Sequence, residues 1–412
     1  MSKPWLIFLI TIALFLRFFL MAFCYHPDLA GQSLSTYFWG FKNVTNVYDH
    51  LLSLPPTHPL VKNFGISDIF IYPPLTYFTL GTFEKVFGFT GLGQFLETLM
   101  SGANVYQISN LNLYLFLLKL PYLFFDLAVV YLLYRYFDQP QNKRLSALLW
   151  LFNPVTLYAT FAMGVFDIIP VFFTVLSLYL LKNKHLLWAS LSIGFGIAFK
   201  MYPIFLLPFL IAPAKNLSTK IKIIVVGFLP LILTNLPYIF SSAYRYMVFS
   251  PKSQKMLFMQ WPLSGSEGIF PFIFILTFLY LLASSLKSFR PIKAYYLAFF
   301  LILFSVTHYH PQWFIWGAPF LIIEFISHRL RHPWLYLGLF LIYVFIVFTF
   351  ENSLSIGLFA PLNPSLAQFV GTANLLSQKI NLDQTKSLFR SVFAGISLYL
   401  TYVNLKKIDV QK

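Results

Sequence analysis

The chain has 412 residues, of which 58% are hydrophobic, 20% aromatic and only 10% charged, and its mean hydropathy is +0.72. A soluble protein carries about a quarter charged residues, so the composition excludes a soluble enzyme or binding module. The formal net charge of +16 suggests nucleic acid, but the basic residues lie in short loops at the ends of apolar runs, as the positive-inside rule expects of a membrane protein, and no nucleic-acid partner is expected. The single cysteine, Cys24, excludes an intramolecular disulfide and a cysteine metal cluster.

Apolar runs of about 20 residues, each long enough to cross a bilayer as a helix, recur from end to end. Taken in chain order, the predicted spans cover about 5–23, 112–134, 145–162, 165–181, 186–200, 201–213, 221–239, 269–286, 294–308, 312–327, 334–350 and 386–404. The first contains Arg17 and is followed by no small-x-small cleavage site, which favours an uncleaved helix over a signal peptide. The expected fold class is all-α: a polytopic helical membrane protein of about twelve transmembrane helices, forming one domain over residues 1–412.

Charge sets the expected orientation. Arg135, Lys143, Arg144, Lys182, Lys184, Lys215, Lys220, Lys222, Lys287, Arg290, Lys293, Arg329, Arg331, Lys406, Lys407 and Lys412 fall on one side, the cytoplasmic one. Asp28, Asp49, Asp68, Glu84, Glu97, Glu267, Glu351 and Asp383 fall on the other. Both termini are then cytoplasmic, which an even number of spans satisfies. The first extracytoplasmic loop, 24–110, is rich in aromatic residues such as Tyr37, Phe38, Trp39, Phe70, Tyr72 and Tyr77, which settle at bilayer interfaces. It is therefore expected to be ordered, with one or two interfacial helices. Pro73 and Pro74 suit the first turn of one of them, where a missing N–H leaves no bond unmade. Asn43-Val-Thr45 is a glycosylation sequon on that face.

Several residues are candidates for chemistry. Asp28, just beyond the first span, is placed to accept a proton from a hydroxyl. Asp49, in Asn46-Val-Tyr-Asp49-His50, and Asp68 are placed to hydrogen-bond sugar hydroxyls or to orient the loop, though ordinary loop solvation explains them too. Arg17, Lys119, Asp126, Asp167 and Lys200 lie inside predicted spans, where charge is costly and faces a cavity or a partner. Lys119 and Asp126 share a helix face but sit about 10 Å apart along the axis. Asp167 and Lys200 are expected at similar height near the outer end, as functional groups or as an ion pair tying helices together. His308 and His310, in His308-Tyr-His310-Pro-Gln-Trp313, are too few for a metal site and suit an anion better. Arg245, Lys252 and Lys255 stand on the outer side against the charge rule, and Arg matches phosphate geometry. No metal and no cofactor are expected.

These motifs, in this order, resemble the GT-C superfamily of integral-membrane glycosyltransferases, which use polyprenyl-phosphate-linked sugars. The likeness is greatest to the glucosyltransferases of the N-glycan pathway and to mannosyltransferase-like proteins of bacteria and archaea. It rests on Asp28 near the start of a large outer loop, Tyr72-Pro-Pro-Leu-Thr76, Lys119 with Asp126, Asn153-Pro154 followed by Gly164 to Asp167, Lys200 between two short helices, Arg245-Tyr-Met-Val-Phe, and His310 at the outer end of a late helix. The sequence departs from some relatives at Pro311-Gln312, and Asp28 stands alone rather than in an acidic pair.

The resemblance implies an inverting transfer of a hexose, mannose or glucose, to a hydroxyl of a lipid-linked or cell-surface glycan on the outer face. Asp28 would be the general base. Arg245, His310 and Lys200 would stabilise the departing lipid phosphate, and the Tyr72 segment would shape the acceptor side. Asp49, Lys119, Asp126 and Asp167 complete the expected substrate-binding set. The membrane would be the plasma membrane of a prokaryote or the endoplasmic reticulum of a eukaryote. A transporter or lipid flippase that uses the intramembrane charges is the alternative, and a non-catalytic membrane scaffold is a third.

Overall fold

The computed structural model describes residues 3–65, 69–249, 255–308, 310–328 and 331–410. Asp68 and Lys252, and the side chain of Lys255, lie outside what is described. Among the described residues the regular structure is helical, apart from a small antiparallel ribbon of β1 (Trp261–Pro262) and β2 (Gly268–Ile269).

The chain enters on α1 (Lys3–Phe23). Ala13, Arg17 and Met21 are fully buried while Trp5, Phe8, Phe15 and Phe18 are exposed. The four-residue spacing puts the buried set on one face, and that face packs on α7. Residues 24–110 hold more helix than the one or two segments expected: α2 (Pro27–Lys42), α3 (Val47–Ser53), α4 (Pro59–Phe64), α5 (Pro74–Val86) and α6 (Leu92–Met100). The sequence divides them with stop and start signals. Asn43 ends α2 in the left-handed region at φ 53°, Pro59 and Pro74 open α4 and α5, and Gly91 opens α6 at φ 89°, a conformation that glycine alone adopts freely. The expectation for Pro73 and Pro74 holds, since Pro73 caps α5 and Pro74 is its first residue. Helices α2 and α5 cross with backbones touching: a Cβ on Gly40 would meet the Gly81 carbonyl oxygen at 2.5 Å, and a Cβ on Gly81 would meet that of Thr36 at 2.5 Å. Small residues at such a crossing allow this approach.

Next come α7 (Leu111–Tyr136), α8 (Pro140–Leu151), α9 (Pro154–Thr156), which runs on as a π-helix over Leu157–Met163, α10 (Ile168–Lys182) and α11 (Leu186–Phe199). A 3-10 turn, Tyr202–Leu206, leads into α12 (Leu207–Ile211), followed by α13 (Leu217–Asn235) and α14 (Ser242–Val248). The last part comprises α15 (Pro271–Ser284), α16 (Ile292–Val306), a 3-10 segment Pro311–Trp316, α17 (Ala318–Ser327), α18 (Pro333–Phe348), α19 (Thr372–Ser377) and α20 (Leu382–Val410). Helix α10 packs between α7 and α11, α11 against α13, and α16 against α15 and α20.

Among the described residues, five helical stretches are long and apolar enough to cross a membrane: Pro4–Phe23, Leu111–Tyr136, Pro140–Met163, Leu217–Tyr238 and Leu382–Lys406. Shorter apolar helices of 10–17 residues fill much of the rest, so spanning length is reached less often than the expected dozen spans. The apolar runs are interrupted where Asn153-Pro154, Gly164, Lys200-Met201-Tyr202-Pro203 and Pro311 break the helical ladder. Irregular backbone at membrane depth is tolerated only where it is buried in protein or lines a cavity. Pro311–Trp316 meets both the π-helix and the Lys200 turn, and that meeting place is where a site is to be sought.

Contacts also respect the division into two ends. Lys182 pairs with Asp138 at 2.8 Å and Lys293 with Glu324 at 3.2 Å at the basic end. Lys200 and Asp167 pair at the other.

Candidate active site

Asp28 sits in the first turn of α2, directly after the α1–α2 corner. His26 caps that helix: its Nδ1 accepts the Asp28 backbone N–H at 3.1 Å and lies 3.6 Å from Asp28 Oδ2. An imidazole nitrogen that accepts carries no proton, so His26 is the neutral tautomer with its hydrogen on Nε2. The Asp28 side chain is 46% exposed and His26 only 7%. The corner is roofed by the segment after α18. Tyr25 N–H donates to Leu358 O at 2.8 Å, and Tyr158 OH donates to Leu354 O at 2.8 Å. Glu351 stands at the N-terminal end of the first turn of this roof, without a side-chain capping bond.

Burial holds both His26 and His310 below the ordinary imidazole value of 6.5. For His26 the neighbouring charges are Asp28 and Glu351, which raise it, and His310 and Lys119, which lower it. For His310 they are Asp28 and Glu351, raising, and Lys200, lowering. His310 therefore stands within electrostatic reach of both Asp28 and Lys200. The linkage has a definite sign. Below pH 6.5 the unfolded chain binds protons that the folded chain refuses, so stability is lost as pH falls through that window toward the folded values. We expect the melting temperature of the purified protein to drop between about pH 7.5 and 5.5. His26→Asn, which still caps a helix but does not titrate, should reduce that drop; an unchanged drop would show that His26 takes no part in it.

Lys200 lies in the turn after α11, with its side chain 15% exposed. Its ammonium donates to Asp167 Oδ1 at 2.8 Å, and the Trp316 indole N–H donates to the same oxygen. The rings of Trp316, Tyr72, Phe166 and Trp313 surround the ammonium at 5.2, 5.4, 5.5 and 6.0 Å, which stabilises its charge. The Tyr72-Pro-Pro-Leu-Thr76 segment builds one wall of this box. Thr76 OH donates to Phe199 O at 2.9 Å, one residue before Lys200, and Tyr48 OH donates to Tyr72 O at 2.6 Å. Beyond Asp167, the Lys200 ammonium has no hydrogen-bond partner among the described residues, so two of its three donors are uncommitted.

Lys119 is the opposite case. Fully buried, its ammonium donates to the carbonyls of Leu20, Cys24 and Phe161 at 3.2, 2.6 and 2.8 Å. All three donors are spent on stitching the end of α1 and the π-helix to α7. Gly164 takes φ 75° beside it, and a Cβ there would lie 2.7 Å from Lys119 Cε. Asp126 is likewise committed: Arg17 Nε donates to Oδ2 at 2.7 Å and Trp150 Nε1 to Oδ1 at 2.8 Å. Arg17 adds a bond to Leu151 O at 2.7 Å. Lys119 and Asp126 thus have separate protein partners, in keeping with their separation along the helix.

Asp28, Tyr72, Asp167, Lys200 and His310 are gathered into one region. Asp49 and Arg245 form a second group behind the Tyr48 ring, which packs on Tyr244 at 5.2 Å. Asp49 Oδ1 accepts the Ser241 hydroxyl at 2.6 Å, joining α3 to the cap of α14. Arg245 is exposed, with one bond from Nη1 to Ile239 O at 3.0 Å. The His308 and His310 rings are 5.9 Å apart and at 80°, and among the described residues no group of three His, Cys, Asp or Glu side chains gathers as a metal site. Sequence reasoning passed over His26, whose capping role depends on a tertiary corner, and Trp313 and Trp316, which an apolar run disguises as ordinary interfacial aromatics.

No curated protein matches the chain. Residues 70–253 match the family model of Glycosyltransferase family 87, a stretch that includes Tyr72–Thr76, Lys119, Asp126, Asp167, Lys200 and Arg245 and leaves Asp28 and His310 outside it. This is a GT-C-like family of integral-membrane glycosyltransferases, in line with the resemblance carried by the motifs inside the matched stretch, and the family indicates glycosyltransferase activity.

Proposed function

We propose that the chain transfers a hexose, mannose or glucose, from a polyprenyl-phosphate donor to a hydroxyl of a lipid-linked or cell-surface glycan at the extracytoplasmic face, with inversion. In this reading the acceptor oxygen attacks the anomeric carbon from the side opposite the phosphate. The new C–O bond forms as the bond from that carbon to the phosphate oxygen breaks. The acceptor proton passes to the Asp28 carboxylate, and polyprenyl phosphate leaves carrying the electron pair. The negative charge that develops on the leaving oxygen needs donors already in place. The two uncommitted N–H groups of Lys200, held by Asp167 inside an aromatic box, are the observation that carries the proposal. His310 is within electrostatic reach of this cation and of Asp28 and is assigned to the same phosphate. The exposed guanidinium of Arg245 is assigned to the lipid phosphate or headgroup at the outer edge.

Lys119 and Asp126 take the role of scaffold here, because their donors and acceptors are occupied by protein groups. The same occupancy weighs against a transporter, whose path needs charges free to meet a cargo. The test is transfer of labelled sugar from polyprenyl-phosphate-mannose and polyprenyl-phosphate-glucose in membranes that contain the protein, beside the corresponding nucleotide sugars. We expect one lipid donor to be used and the nucleotide sugars not. Transfer from a nucleotide sugar alone would remove the lipid-donor reading.

A further inference from the structure

Pro311–Trp316 is a 3-10 helix, in which side chains three residues apart eclipse one another. Trp313 and Trp316 therefore stack directly, centroids 5.0 Å apart and planes at 15°. Trp316 in turn stacks on Tyr202 at 4.0 Å and 8°, and its indole N–H is fixed by Asp167. The result is a three-ring column whose inner two members are buried and whose outer member, Trp313, is half-buried. Trp316 occupies one face of Trp313. Among the described residues the only other ring against it is His310, tilted at 63° and 5.4 Å away, and the Trp313 indole N–H has no hydrogen-bond partner. A large, partly exposed aromatic whose outer face carries no stacked ring and whose N–H has no partner among the described residues, held by a column behind it, offers a surface to a ligand.

We propose that the outer face of Trp313, the one turned away from Trp316, is the platform for the pyranose ring of the donor. This deepens the reading of the chain as a hexosyltransferase and rests on it. A hexopyranose presents axial C–H groups on its ring face and hydroxyls around its rim. The C–H groups carry slight positive charge and pack on the negative face of an indole, while the indole N–H serves a rim hydroxyl. Placement supports the match. The Lys200 ammonium lies beside the column, 5.2 Å from the Trp316 centroid and 6.0 Å from that of Trp313, and an anomeric phosphate is bonded directly to the ring, so a phosphate on Lys200 puts its sugar within reach of the Trp313 edge and outer face. The same stack explains why Trp316 shares Asp167 with Lys200: one carboxylate fixes both the cation for the phosphate and the base of the column for the sugar.

The experiment reads binding apart from turnover. The full-length protein is purified in lipid nanodiscs as wild type, Trp313→Phe, Trp313→Ala and Asp28→Asn. Mannose 1-phosphate and glucose 1-phosphate are titrated with saturation-transfer NMR. Wild type and Asp28→Asn should bind at least one of them alike, with the strongest transfer to ring C–H protons. Trp313→Phe, which keeps a face but loses the N–H, should bind a few-fold more weakly, and Trp313→Ala about tenfold or more. Equal binding by Trp313→Ala and wild type would overturn the proposal, as would absence of any binding by wild type. Sugar-phosphate binding that depends on Trp313, in a protein that transfers no sugar from any lipid donor, would sink the transferase reading and leave the platform standing.

Discussion

Asp28→Asn should lower sugar transfer by about 10²–10⁴-fold, the usual contribution of a positioned general base, while the folded yield stays near that of the wild type. The substitution keeps size and shape and removes only the proton-accepting capacity. Asp28 is 46% exposed and forms no hydrogen bond through its side chain among the described residues, so nothing buried is orphaned. The cost to folding is limited to the loss of an acid from the first turn of α2, about 0.3–1 kcal/mol through the helix dipole. Asp49→Asn is the control. Asp49 accepts from Ser241 and Asn46, so its loss should show in thermal stability, with specific activity of the folded fraction retained. Transfer assays and melting curves on both variants decide between them. Full activity in Asp28→Asn would move the base elsewhere and leave the α1–α2 corner as a merely structural turn.

The sequence made the local half of this site legible and left the tertiary half hidden. Prolines announce themselves, so the start of α5 at Pro73-Pro74 could be read directly, and so could the common height of Asp167 and Lys200, which fall at the ends of successive apolar runs and pair at 2.8 Å. What could not be read is which helix faces meet. Periodicity places Lys119 and Asp126 on one face of α7, but not that Arg17, from a helix more than a hundred residues earlier, would take the carboxylate. Nor does it show that three carbonyls from α1 and the π-helix would take the ammonium. The aromatics of the loop predict that it is ordered, yet the number of its helices depends on stop signals at Asn43 and Gly91, where positive φ is seen only in the folded chain. The Trp313–Trp316 column is hidden because an α-helical reading of Pro311–Trp316 makes these residues neighbours about 60° apart around the axis, whereas the tighter 3-10 geometry eclipses them and stacks the rings.

The two lysines give the second large effect, and they separate chemistry from architecture. Lys200→Met alone would strand Asp167 in a nearly buried position, and breaking a buried pair costs about 3–5 kcal/mol, so the informative variant is the pair Asp167→Asn with Lys200→Met. That double substitution leaves no uncompensated charge and should fold, while losing transfer by about 10²-fold or more, since a preorganised donor to the leaving oxygen contributes on that scale. Lys119→Met should do the reverse. It leaves the buried Cys24 and Phe161 carbonyls without their donor, each at about 1–3 kcal/mol, and takes one bond from Leu20 O, which keeps the Cys24 N–H, so folded yield and melting temperature should fall steeply, with the surviving folded protein retaining specific activity within a few-fold. Size-exclusion profiles, melting temperatures and transfer rates per folded molecule distinguish the two. A stable but inactive Lys119→Met would return Lys119 to the substrate. A double variant at Asp167 and Lys200 that transfers sugar normally would empty the aromatic box of its proposed purpose. An ammonium has three donors, and a lysine that has given all of them to the backbone has none left for a phosphate, whereas one that has given a single donor to a carboxylate keeps two.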